Sequence, residues 1–143
     1  MLELKVSKPL HKYEAIIILH PETAEADQKT LFKKNQEIIK SFNGEINHLD
    51  TWGKRKLANP IKKNNLGIYF HTTFEAESTS IKELERTMRI NDKVLRYMHS
   101  RLDDRVTLSK HMDAYRETLA ATTKKEQERE SKAAARRAAP KKR

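Results

Sequence analysis

"EINHLDTWGKRKLANPIKKNNLGIYFHTTFE" occupies residues 45–75, and the reading of this stretch decides the fold. Ile46, Leu49 and Trp52 suit one strand. "LGIYFHTTFE" (66–75), with Ile68, Tyr69, Phe70, Thr72, Thr73 and Phe74, reads as a second. "KKNN" (62–65) supplies the turn, so the whole is a hairpin. Gly53 is expected to make a bulge, and Pro60 to end the first strand. Between them lie Lys54, Arg55 and Lys56. An edge strand uses lysine and proline to repel other strands, and the same bases can hold an anion. Successive strand residues alternate faces, so Arg55 is expected to point opposite to Lys54 and Lys56.

The flanks supply the other elements. "KYEAIIILHP" (12–21) is too short for a stable helix and rich in isoleucine, and it is apolar at both parities. It reads as a central strand with both faces at least partly covered. From Glu25 to Phe42 the period changes: Leu31, Asn35, Ile38 and Phe42 line one helix face, joined by Phe32 and Ile39. "NG" at 43–44 stops that helix, with Gly44 expected in the left-handed conformation. "ESTSIKELERTMRIND" (77–92) opens with a Ser80–Glu83 capping box and buries Ile81, Leu84 and Met88. "KVLRYMHSRL" (93–102) is a fourth strand.

The order is strand, helix, strand, strand, helix, strand. It predicts an α+β, ferredoxin-like βαββαβ sandwich: a four-stranded antiparallel sheet with two helices on one face. The right-handed crossover puts the third strand between the first and second, leaving the basic second strand at an edge. Leu31, Ile38, Leu84 and Met88 are expected between helices and sheet.

Of 143 residues, 30 are Lys or Arg and 20 are Asp or Glu, a net charge of +10 that favours anionic partners, nucleic acid above all. With no cysteine, disulfides, Cys-ligated zinc and thiol catalysis are excluded. No run approaches the ~20 apolar residues of a membrane span. "MLELKVSKPLHK" lacks the apolar core of a signal peptide, so a cytosolic, unprocessed protein is expected. The composition changes near residue 103, which divides a domain (1–103) from a C-terminal extension (104–143). Leu108, Met112, Tyr115 and Leu119 predict a helix over 107–121 whose apolar stripe needs a partner surface. Residues 124–143 hold nine Lys/Arg against three Glu, so they carry +6 of the +10. This tail is expected to be disordered in the free protein and to lie along RNA in an assembled particle.

The residues point away from catalysis. The glycines are Gly44, Gly53 and Gly67, which make no phosphate loop, and there is no serine elbow or His-Glu metal pair. His48, His71 and His99 fall on three predicted strands and could converge, but nothing supplies metal-ligand spacing. Asp103 and Asp104 read as loop residues. No catalytic residue, metal, cofactor or small-molecule substrate is expected. The aromatic RNA-reading sheet with this element order is disfavoured, because its glycine-aromatic signature is missing. Tyr69 and Phe74 also have opposite parity.

Three separated segments, "HKYEAIIILHP" (11–21), "HLDTWGKRKLANPIKKNNLGIYF" (48–70) and "LERTMRINDKVLRYM" (84–98), resemble in order and spacing the bacterial small-subunit ribosomal protein six family. The middle one is similar to that family's Trp-Gly-Lys/Arg-Arg-x-Leu-Ala-Tyr-Pro-Ile signature, with Asn59 where the family has Tyr. The resemblance covers residues 11–102. It implies a non-enzymatic constituent of the small ribosomal subunit. It also implies binding to the central domain of small-subunit (16S) ribosomal RNA together with small-subunit ribosomal protein eighteen. The RNA-binding candidates are Lys12, Lys54, Arg55, Lys56, Arg86, Arg89, Lys93 and Arg96; those for the partner protein are Trp52, Leu108, Met112, Tyr115 and Leu119. A free RNA-binding regulatory module of the same fold is the alternative reading.

Overall fold

The computed structural model describes residues 8–140, and the chain forms two compact units that divide between Asp104 and Arg105. The first holds β1 (Leu10–Leu19), α1 (Glu25–Ser41), β2 (Glu45–Ile61), β3 (Asn64–Glu77), α2 (Ser80–Arg89) and β4 (Val94–Arg101). The second holds α3 (Leu108–Ala138). The sheet order is β2-β3-β1-β4, with every neighbouring pair antiparallel. This is the ferredoxin-like arrangement, and β2 is an edge strand.

Strand parity builds the core. Tyr13, Ala15, Ile17 and Leu19 of β1 are buried beside Phe74, Phe70 and Ile68 of β3 and Val94 of β4. Leu31 and Ile39 of α1 and Leu84 and Met88 of α2 cover that face. Ile16 and Ile18, of the other parity, are half-buried on the helix-free face. The α1 stripe keeps the expected Leu31 and Asn35 but turns toward Ile39 in its last turns. Leu31, Asn35 and Ile39 are buried, whereas Ile38 and Phe42 are only half-buried. The helix axis is set by its packing on the sheet, and periodicity alone leaves that rotation open.

The end of α1 is a Schellman motif. The Gly44 N–H donates to the Ile39 carbonyl at 2.9 Å, and the Asn43 N–H to Lys40 at 3.1 Å. Asn43 takes the left-handed conformation (φ 60°) in place of the expected Gly44. The capping box of α2 is also replaced. Thr79 is the N-cap, and the Ser80 hydroxyl donates to the Glu77 carbonyl at 2.7 Å. Glu83 turns instead to Arg86, one turn further on, because a guanidinium offers a charged donor where the cap offers a neutral amide.

β2 departs from regular pairing at three places, between Ile46 and His48, Thr51 and Gly53, and Lys56 and Ile61. Gly53 (φ 75°) makes the expected bulge. Pro60 lies in the last irregularity and does not end the strand, since pairing resumes at Ile61 with Asn64. A proline is tolerated there because no ladder hydrogen bond is asked of it. Lys62 (φ 47°) and Lys63 (φ 67°) form the two-residue turn, both in the left-handed region.

The three strand histidines do not converge. His48 and His71 approach at 6.3 Å between ring centroids, while His99 pairs in register with Ala15 on the helix side. Burial pushes the His99 imidazole below its ordinary pKa, opposed by Glu85, whose carboxylate is 3.4 Å away. Between that lowered value and about 6.5 the unfolded chain binds more protons than the folded one, so stability falls as pH drops through this window. Melts between about pH 7.5 and 5.5 are expected to show a shallower loss for His99→Gln than for the parent. Equal slopes would remove His99 as the cause.

In the second unit, the Thr107 hydroxyl accepts from the Lys110 N–H and caps α3. The helix does not stop at 121 but continues through the basic segment to Ala138. No glycine or proline occurs between 108 and 139, and Ala, Lys, Glu, Gln and Arg are strong helix formers, so nothing local ends it before Pro140. Leu108, Met112, Tyr115 and Leu119 form its less exposed face. Lys141, Lys142 and Arg143 of the expected tail lie outside the described residues. Among those described, no helix is long and apolar enough to cross a membrane.

Candidate nucleic-acid interface

The bases fall into three groups. The first lies along the β2–β3 arm. Lys54 and Lys56 are exposed and have no side-chain partner among the described residues. They pair in register with Ile68 and Leu66, whereas Arg55 pairs with Gly67, so Arg55 has the opposite parity to its neighbours. Its guanidinium sits 6.0 Å from the Trp52 ring centroid, and its Nε donates to the Trp52 carbonyl. Lys62 and Lys63 at the tip are exposed and belong to the same arm. They were not among the candidates, although the turn reading had already placed them at a hairpin end.

The second group is on the helix-free face. Arg96, Ile18, Tyr69 and Gly53 form one register row across all four strands. At ~4.8 Å per strand the row spans about 14 Å. The Trp52 ring stacks near Tyr69 (5.9 Å, 18°) and His71 (6.0 Å, 10°). Arg55 at one end and Arg96 at the other thus bracket an aromatic and aliphatic strip. His71 is buried beneath it, its Nε2 3.0 Å from Glu14 Oε2. Tyr69 is not among the sequence candidates: its parity, opposite to that of Phe74, is legible, but the aromatic RNA-reading signature that would single it out is missing.

The third group is on the helix side, after α2, and is partly engaged. Arg86 donates from Nε and Nη2 to Glu83 at 3.0 and 2.6 Å. The Lys93 ammonium is 2.5 Å from Asp27 Oδ2. Arg89 is exposed and has no side-chain partner among the described residues. Lys12 stands apart. Its Nζ donates to the Asp104 carbonyl (2.9 Å) and its N–H to Asp104 Oδ1 (3.0 Å). His11 Nδ1 and Arg101 Nη2 lie 2.8 and 2.9 Å from Asp104 Oδ2. These hydrogen bonds, His11's foremost, hold the Asp104 carboxyl well below the usual carboxylate range. Lys12 therefore helps to fasten the turn after β4 and is not a free cation.

Among the described residues no group of three or more His, Asp or Glu is placed to hold a metal. The arrangement offers charge and flat apolar surface in place of a reactive cleft.

The family model described as ribosomal protein S6 matches residues 12–101. The small ribosomal subunit protein bS6 of Bdellovibrio bacteriovorus is 57% identical over 108 residues, covering 76% of this chain and 71% of that protein. Its counterpart in Geotalea daltonii is 42% identical over 94 residues, covering 66% and 73%. The crystal structure of 30S ribosomal protein S6 from Thermotoga maritima superposes with a TM-score of 0.60 at 25% identity, covering 80% of this chain and 99% of that one. The chain belongs to the ribosomal protein S6 family of structural, non-enzymatic components of the small ribosomal subunit.

Proposed function

We propose that the chain binds the central domain of small-subunit (16S) ribosomal RNA together with small-subunit ribosomal protein eighteen. The observation that carries this reading is the β2–β3 arm: Lys54 and Lys56 are exposed on an edge strand with no side-chain partner among the described residues, beside Arg55 on its Trp52 platform. Such bases position a protein on phosphates without reading sequence. Arg89 and Arg96 add two more cations ready for use. Arg86, Lys93 and Lys12 must each leave an existing partner, so they contribute less. Trp52 and the half-buried α3 residues Leu108, Tyr115 and Leu119 are the surfaces proposed for the partner protein, whereas the remaining candidate, Met112, is buried and offers none.

Replacing Lys54, Arg55, Arg89 and Arg96 together by Ala is expected to lower the log–log salt slope of RNA binding by roughly 3–4, at about 0.9 per lost duplex contact. Sequence preference should hardly change. An unchanged slope would remove these residues from the interface. Stoichiometric co-sedimentation with the small subunit in high salt is expected, and its absence would favour the free regulatory module. Tyr115→Ser with Leu119→Ser should reduce recovery of the partner protein while leaving the RNA salt slope alone.

The turn gives an opposed pair of effects. Left-handed conformations at non-glycine residues cost ~1 kcal/mol or more each. Lys62→Asn with Lys63→Gly should therefore raise stability by about 1 kcal/mol, as type I′ turns favour Asn-Gly. The same change should weaken RNA binding, because two cations leave the arm. Unchanged binding would exclude the tip from the interface.

A further inference from the structure

We infer that the second half of α3 is an RNA-binding arm in which Lys125, Arg129, Lys132 and Arg136 hold phosphates along one helix face. The inference rests on the proposed RNA partner, but on none of the residues of the first unit.

The spacing of these four is i, i+4, i+7, i+11. At 100° per residue they fall within an arc of about 60°, and at 1.5 Å rise the stripe is about 16 Å long. All four lie on a continuous helix and all are exposed. None of their side chains has a hydrogen bond or ion pair among the described residues, although Glu126, Glu128 and Glu130 are in the same stretch. Glu126 and Glu130 point at least 90° away from the stripe's centre, and Glu128 only borders it.

This arrangement is not one that helix stability favours. Lys125 and Arg129, like Lys132 and Arg136, are like charges at i, i+4 and repel each other. Mixing the acids into the stripe would have helped the isolated helix. Gathering the bases on one face helps only when a polyanion lies along it. The chemistry also selects the polyanion. From Ala120 to Ala138 there is no large apolar residue, so the helix has no face to sink into a bilayer or a protein groove. A row of backbone phosphates needs only charge, and Arg136 and Arg137 sit in the last turn, where cations suit the helix dipole.

The test uses the full chain, a generic RNA hairpin with a duplex stem, and fluorescence anisotropy over a salt series. Lys125→Gln, Arg129→Gln, Lys132→Gln and Arg136→Gln together should lower the log–log slope by about 3, with helix content by circular dichroism retained. A second variant exchanges Lys125 with Glu126 and Arg129 with Glu130, which keeps composition and net charge. It should still lose about 2 from the slope, because two contacts leave the stripe. A permuted variant that binds like the parent would overturn the stripe, since only total charge would then matter. An unchanged slope in the Gln variant would overturn the arm as a whole. A parallel variant, Lys54→Gln with Lys56→Gln and Arg96→Gln, separates the two claims. If it alone weakens binding, the arm fails and the first-unit interface stands. If the α3 variants alone weaken binding, the arm stands and the first-unit interface fails.

Discussion

Phe74→Ala is expected to lower the unfolding free energy of the first unit by about 3–5 kcal/mol. Phe74 is 1% exposed, its ring 5.6 Å from that of Tyr13 and edge-on to His99 at 6.3 Å. β3 is an inner strand, with Phe74 opposite Tyr13 on β1 and Ile46 on β2. Ladders on both sides prevent the backbone from collapsing into the cavity, so both the transfer and the cavity terms are lost. Domains of this size are stable by ~5–15 kcal/mol, so the variant should be near the margin, with its melting midpoint lowered by roughly 15 °C or more. Denaturant unfolding followed through Trp52, the single tryptophan, measures this in the first unit. A change under about 1 kcal/mol would mean that this face is not the packed core. In the same assay Ile39→Ala, at a 2% exposed site, should cost more than Ile38→Ala.

Gly44→Ala is expected to cost about 3 kcal/mol, at the upper end for forcing atoms into a packed site. A Cβ there would lie 2.3 Å from the Glu75 carbonyl oxygen and 2.6 Å from Ala76 Cβ. Both belong to an inner strand whose register is held by two neighbours, so no flexible side chain can give way. Gly53→Ala offers the contrast. Nothing lies within 4 Å of its Cβ position, and the cost is only that of a left-handed residue (φ 75°), about 1 kcal/mol. Asn43→Gly should be neutral within about 0.5 kcal/mol. It relieves the left-handed strain but loses an exposed hydrogen bond from Asn43 to Glu77. Equal costs for Gly44→Ala and Gly53→Ala would show that close approach is not what requires glycine at 44.

These variants mark where local reading works and where it stops. "NG" at 43–44 announced a helix end, and one is there. Which of the two residues takes the left-handed conformation was decided by β3, which leaves no space for a Cβ on Gly44. The capping-box pattern at Ser80–Glu83 was present in the sequence, yet Glu83 is claimed by Arg86. The stripe of α1 was legible as a stripe, but which of Ile38 and Ile39 lies deeper was decided by packing on the sheet. The apolar stripe marks only the first half of α3, and the helix runs on past the expected end at 121 without a face to bury. Propensity alone continues it to Ala138.

What the sequence by itself determined is everything written along the chain at periods of 2 and 3.6: the six elements of the first unit, their order, the hairpin, the edge position of the basic strand and the family motifs. The bulge at Gly53 and the opposite parity of Arg55 are equally local, since they follow from one glycine and from alternation. Tertiary structure decided which cations are available. Lys12 and Asp104 are 92 residues apart, and only the β1–β4 pairing brings the turn after β4 to the side chain that holds it. Lys93 meets Asp27 through the packing of the first unit. Trp52 meets Tyr69 and His71 only once the β2–β3 register is set. Periodicity is a property of neighbours in sequence, whereas an ion pair or a ring stack needs two distant segments fixed to within an ångström or so. That precision comes from the packed sheet.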